Sequence, residues 1–264
     1  MATAVVQATV GRRVQFQWEG EDVYKRQVLM LRIYADYHTH TVFSHGKGTP
    51  EENVLSAISK GLRRVAISEH APAHMFYGVR GGRLTELRRE IDRLNVKYGD
   101  RIEVLMGLEC NLTGNGLCDV PKNPGMFDLL ILGYHKGVFP SNGFSLKAVL
   151  QLMGIGLDPY GNAEAVARAA ERYRITFVSH PGLYIPMDID ILAKMSAALK
   201  VPLEINGARV TLKKAELERA KALGASFIIN SDAHTAENVG NVSAAIAAAE
   251  QAGVEDLVVN LERC

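Results

Sequence analysis

From Arg32 onward the chain repeats one pattern of hydrophobic and polar positions: a short apolar run, a polar or charged turn, then an amphipathic stretch. The short runs read as strands and the amphipathic stretches as helices. Strands are predicted at Arg32–Tyr37, Arg64–Ser68, Glu103–Leu108, Phe127–Gly133, Ile175–Ser179, Pro202–Ile205 and Ser226–Asn230, with a last one at Leu257–Leu261. Helices are predicted at Glu51–Lys60, Leu84–Tyr98, Ala163–Tyr173, Ile189–Leu199, Lys213–Leu223 and Ala236–Ala252. Thr49-Pro50-Glu51 is a helix start, with a capping hydroxyl, proline in the first turn and an acid behind it. Gly61 stands where that helix should stop. The stretches Gly114–Gly125 and Val138–Gly161 are rich in Gly, Pro and Asn and read as loops.

Alternating strands and helices call for a parallel sheet covered by helices. At least seven strands in about 230 residues favour a closed barrel over an open sheet. Residues 1–29 lack this pattern. They read either as an added strand or hairpin or as an extension, non-native or disordered, with Met30 as the natural start. The barrel domain is then residues 30–264.

Composition narrows the class. The 264 residues are 47% hydrophobic and 22% charged, with a net charge of +1, which suits a globular domain with a sizeable core. No basic stripe is visible, which weighs against long DNA or RNA as partner and leaves small anionic substrates open. No run of about 18 apolar residues is present, so no transmembrane helix is expected. The three cysteines, Cys110, Cys118 and Cys264, form no CxxC pair and suit a reducing compartment. With no signal-peptide pattern, the cytoplasm is the expected location.

The chemistry lies in eight histidines, of which all but His45 and His74 sit at or just past the C-terminal end of a predicted strand. That edge is where barrels and parallel sheets build their sites. In Asp36-Tyr-His-Thr-His40, alternation aims His38 and His40 the same way, as two ligands of one metal. Asp36 would share that face and orient an imidazole from behind. Ser68-Glu-His70, Gly107-Leu-Glu109, Gly133-Tyr-His135, Ser179-His180 and Asn230-Ser-Asp-Ala-His234 repeat the pattern of apolar strand followed by ligand-type residue. Each alone also fits a salt-bridged or hydrogen-bonded residue. Six strand ends carrying His, Asp or Glu do not fit six accidents. Nine nitrogen and oxygen ligands without a thiolate suit divalent zinc, manganese or iron, in a cluster of two or three ions.

As an ordered set, these motifs resemble the PHP family (polymerase and histidinol phosphatase) over about residues 32–250. The resemblance implies a distorted TIM-like barrel of seven strands and helices, with a trinuclear site at its C-terminal face. It implies that His38, His40, Glu109 and Asp232 hold one metal. Glu109 would bridge to a second metal, also held by His135 and His180, while His45, His70 and His234 would hold the third. Thr41–Thr49 and Gly133–Lys136 look most like the stand-alone bacterial phosphatases of the family, and Ser68–Pro72 looks more like histidinol phosphatase.

The expected reaction is hydrolysis of a small phosphate monoester by a metal-bound hydroxide, without a protein nucleophile. Arg80, Arg83, Lys136 and Arg209 are candidates for contacting the phosphate, and Asn206 for bracing the site. The substrate would be a small phosphorylated metabolite, with histidinol phosphate as the narrower alternative. A 3'-5' exonuclease, a non-catalytic binding module and an amidohydrolase-type barrel are the competing classes.

Overall fold

In the computed structural model the structure describes residues 30–263, and the expected extension over residues 1–29 lies outside them. The elements in chain order are β1 (Leu31–Ile33), β2 (Ala35–Thr39), α1 (Pro50–Ser59), β3 (Arg64–His70), α2 (Gly82–Tyr98), β4 (Glu103–Gly114), β5 (Leu117–Cys118) and β6 (Leu129–Gly133). There follow α3 (Gly143–Leu152), α4 (Pro159–Arg172), β7 (Phe177–Val178), α5 (Ile189–Leu199), β8 (Leu203–Asn206), α6 (Lys214–Ala222), β9 (Phe227–Asn230), α7 (Ser243–Ala252) and β10 (Leu261–Arg263).

Seven strands form one parallel series in the order β2-β3-β4-β6-β7-β8-β9. The first and last nearly close on each other through a parallel bridge between Thr39 and Ala233. Two backbone hydrogen bonds mark the seam, His40 N to Ala233 O at 2.7 Å and Ala233 N to His38 O at 3.3 Å. The result is the distorted (βα)7 barrel. β1 and β10 pair antiparallel outside it.

Side-chain alternation divides the core. Val65, Ile67, Val104, Met106, Leu130, Leu132, Phe227 and Ile229 belong to the large cluster shared with the helices. Their neighbours Ala66, Leu129, Ile131, Phe177 and Ile228, with Tyr37 and Leu105, form a second small cluster inside the barrel. Two residues further along each strand, the same inward parity gives Ser68, Gly107, Gly133, Ser179 and Asn230, and two further His70, Glu109, His135 and Asp232. The barrel interior is therefore apolar at one end and ligand-rich at the other.

Helix starts follow their capping residues. Thr49 and Glu52 close a capping box on α1, with Pro50 in its first turn, and Gly61 follows at φ 73°. Asn142 and Ser145 cap α3 in the same way. That helix lies within Val138–Gly161, where loops are expected; Asn142 is its N-cap, Gly143 its first residue, and Gly154 follows its C-cap Met153. The single helix expected at Ala236–Ala252 is split into a short 3-10 turn at Ala236–Asn238 and α7. Gly240 at φ 71° makes the break, and its N–H donates to Asp36 at 2.8 Å. The strand expected at Leu257–Leu261 moves to Leu261–Arg263 and leaves the barrel for β1. No helix among the described residues is long and apolar enough to cross a membrane.

Candidate metal centre

Six strand ends bring their ligand-type residues together around Glu109, which is fully buried. Its two oxygens serve two sets of imidazoles. Oε1 lies 3.2 Å from His38 Nε2, 3.0 Å from His135 Nε2 and 2.9 Å from His180 Nε2. Oε2 lies 3.5 Å from His40 Nε2 and 3.1 Å from His70 Nδ1. Asp232 Oδ1 sits 3.4 Å from His40 Nε2 and 3.6 Å from His38 Nε2.

Ligand atoms within metal-binding range of one another form four groups: His38, His40 and Asp232; His38, Glu109 and His180; His70, Glu109 and His135; and His40, His70 and His234. The grouping differs in detail from the expected partition. His135 and His180 both lie against Glu109 Oε1 but fall in separate groups, His135 with His70 and His180 with His38. His45 falls in none. It is half-buried on the loop after β2, with its ring stacked on His70 at 4.7 Å and edge-on to His234 at 4.2 Å.

The donor set fits divalent cations. His38 Nε2, both ring nitrogens of His40, His45 Nδ1, His70 Nδ1 and Glu109 Oε2 are buried without a hydrogen-bond partner. Leaving that many buried polar atoms unpaired is costly unless a cation satisfies them. Charges agree with this. Burial opposes charge on His38, but Glu109, Glu204 and Asp232 outweigh it and raise its pKa well above the usual value. Burial likewise opposes ionisation of Glu109, yet His135 and His38 hold it well below the usual carboxylate range. Burial lowers His40 well below its usual value and pushes His45 down to about 3, leaving both neutral and able to ligate.

Behind the ligands stand residues that fix their orientation. Glu204 Oε1 accepts from His38 Nδ1 at 2.9 Å, and its Oε2 accepts from His180 N at 2.9 Å. Asn206 Nδ2 donates to Glu204 at 2.9 Å and to Asp232 at 3.2 Å. Asn111 Oδ1 accepts from His135 Nδ1 at 2.8 Å, while its Nδ2 donates to Asp119 at 2.9 Å. His234 Nδ1 donates to the Asp232 carbonyl at 2.9 Å, leaving Nε2 for a metal. Ser179 Oγ donates to Glu109 Oε1 at 2.9 Å. Glu69 binds the hydroxyls of Thr41 and Ser44 and so anchors the loop that carries His45. His180 at φ 26° and Asp232 at φ 54° hold left-handed backbone, a strain typical of functional positions.

Asp36 takes another place. Its carboxylate accepts from Ser231 Oγ at 2.5 Å, Ser231 N at 3.1 Å and Gly240 N at 2.8 Å, and from the backbone rather than the ring of His38. A register shift between Asp36 and Thr39 breaks the alternation there, so Asp36 pins the seam. Glu204 orients the His38 imidazole instead. Its sequence signal is an acid inside the apolar strand Pro202–Ile205, two residues before Asn206. Asn111, two residues beyond Glu109, carried a similar signal.

A cleft of about 320 Å³ opens over the cluster. Lys136 lines it, whereas Arg80, Arg83 and Arg209 do not. Arg80 donates to the His74 carbonyl at 2.6 Å, and Arg83 donates to the Val42 carbonyl at 3.2 Å. Arg209 is exposed, and its backbone N–H donates to Asn206 at 2.9 Å. His74, which lies away from the strand ends in sequence, lines the cleft and stacks on His70 at 5.0 Å. Its Nδ1 accepts from Tyr77 N at 3.2 Å, and burial pushes its pKa down to about 4.

Comparison with known proteins adds an independent line. The profile of the family described as "PHP domain" matches residues 36–184, more than half of the chain. A "probable phosphatase" of Thermoanaerobacter sp. strain X514 is 28% identical over 251 residues, covering 88% of this chain and 92% of that one. Another, from Shewanella sp. strain MR-4, is 29% identical over 237 residues, covering 83% and 84%. The histidinol phosphate phosphatase of Lactococcus lactis, solved with zinc, L-histidinol and phosphate, has the same fold, with a TM-score of 0.58 at 20% identity, covering 83% of this chain and 93% of that one.

Proposed function

The chain belongs to the PHP domain family, and within it we propose that this metal-dependent phosphatase hydrolyses small phosphate monoesters at a cluster of two or three divalent ions. Zinc, manganese and iron all suit the donor set. One observation carries the reading: four groups of ligand atoms converge on one cleft floor, two of them through Glu109. His38, His40, His45, His70, Glu109, His135, His180, Asp232 and His234 would share the ions.

When bound, the ions would neutralise charge on the phosphoryl oxygens and make water available for attack on phosphorus. The chain's own residues do the rest. Glu204 and Asn111 fix the ring orientations of His38 and His135. Asn206 holds Asp232. Lys136 brings a positive charge to the cleft mouth, which favours the approach of an anionic ester. None of these groups is a nucleophile.

The test is metal content per chain together with turnover of para-nitrophenyl phosphate before and after chelation. Two to three ions, with activity lost and regained alongside them, is the expected result. No turnover after loading with zinc or manganese would sink the proposal. Release of nucleotides from single-stranded DNA in place of monoester turnover would point to the exonuclease class.

A further inference from the structure

The cleft has two chemically different ends. Among the described residues its only acidic lining residues are Glu109 and Asp232, both in the ligand cluster on the floor. Its mouth is aromatic and cationic. Phe76 is 74% exposed and Tyr77 43% exposed, with ring centroids 6.2 Å apart. Tyr77 is held in place by stacking on His45 at 4.4 Å and on His74 at 4.9 Å. Tyr184 lies in the same cleft, with Lys136 Nζ 5.2 Å from its ring centroid. Lys136 has no carboxylate partner within ion-pair distance among the described residues. Phe76 meets the His74 ring edge-on at 6.5 Å between centroids, and most of its surface still faces solvent.

A phosphate seated on the floor puts the alcohol half of its ester in this mouth. A flat ring there gains area burial and stacking on Phe76 or Tyr184. A positive charge there meets Lys136 and finds no acid to pair with. Resting on the monoesterase reading above, we propose that the preferred substrate is a phosphate monoester whose alcohol half carries an aromatic or heteroaromatic ring and no positive charge. Histidinol phosphate, whose alcohol half bears an amine protonated at neutral pH, belongs to the disfavoured class.

The test compares kcat/KM for benzyl phosphate, n-butyl phosphate and histidinol phosphate with the metal-loaded protein. All three are primary alkyl esters, so leaving-group reactivity is similar. Benzyl phosphate should exceed n-butyl phosphate by roughly threefold to tenfold, and histidinol phosphate should fall below benzyl phosphate. Phe76→Ala should reduce the benzyl-to-butyl ratio, and Lys136→Glu should raise the histidinol-to-benzyl ratio. Both side chains are exposed, and circular dichroism verifies that each variant folds. Histidinol phosphate preferred by the unmodified protein, or ratios unmoved by both variants, overturns this inference and leaves the monoesterase intact. No turnover of any ester overturns both.

Discussion

Asn111 Oδ1 lies 2.8 Å from Nδ1 of His135. The amide cannot be turned round, because its Nδ2 faces Asp119, whose carboxylate only accepts. Nδ1 of His135 must therefore carry the ring proton, and the lone pair of Nε2 faces Glu109 and the cluster. Asp119 reaches the metal site through one amide.

Asp119→Asn should undo this. The new amide brings a donor toward the N–H groups of Ala73 and Asn111 that Asp119 now accepts. Turning the Asn111 amide relieves part of the conflict but presents N–H to His135 and shifts its proton to Nε2. Metal affinity should fall by about tenfold to a hundredfold, measured by competition with a chromophoric chelator. Adding Asn111→Asp restores an acceptor to His135 and should recover affinity. Unchanged affinity in the single variant would reject the relay.

Glu204→Gln tests the other brace. The fully buried carboxylate accepts from His38 Nδ1, His180 N, Asn206 Nδ2 and Asn230 Nδ2. Gln turns one acceptor into a donor that faces donors, costing about 2–4 kcal/mol. Tm should drop by roughly 5–12 °C, with loss of bound metal, as read by calorimetry and elemental analysis.

Gly133 leaves no room for a side chain. A Cβ there would lie 2.4 Å from Ser179 Oγ and 3.2 Å from Cε1 of both His135 and His180. Gly133→Ala should push two ligand rings apart and reduce turnover by about tenfold to a hundredfold. Ser179→Ala in the same background frees space and should recover part of that loss in the para-nitrophenyl phosphate assay.

The buried thiols should be inert. Burial pushes the Cys118 thiol up to about 12 and raises Cys110 well above its usual value. Raised values keep both protonated at pH 8, with a thiolate fraction of roughly one in ten thousand at Cys118. Iodoacetamide at that pH should leave both unmodified in the folded protein and modify both in denaturant, as read by peptide mass mapping.

The barrel and its ligand-bearing end were legible because both rest on local pattern: apolar strands buried on both faces, six of the seven ending in His, Asp or Glu. The register shift in β2 was not legible, since only its pairing with β3 reveals it, and so Asp36 was placed behind a ring instead of on the seam. Glu204 and Asn111 were readable in type but not in partner, because those partners lie 166 and 24 residues away. α3 was hidden by caps that look like loop residues. Position in a loop says nothing of where a long side chain ends, and Arg80 and Arg83 turn to backbone carbonyls.

The seam between β2 and β9 also sets a timetable for the newborn chain. His38 and His40 leave the ribosome about 190 residues before Asp232 and His234, so for most of synthesis the group of His38, His40 and Asp232 lacks its third member. Among the pairings of the seven barrel strands, closing a loop of that length carries the largest entropic cost. An ion gripped by both strands offsets that cost only at the last step. Metal capture would thus act as a clasp that marks a finished barrel, and a chain cut short before β9 could not fasten it.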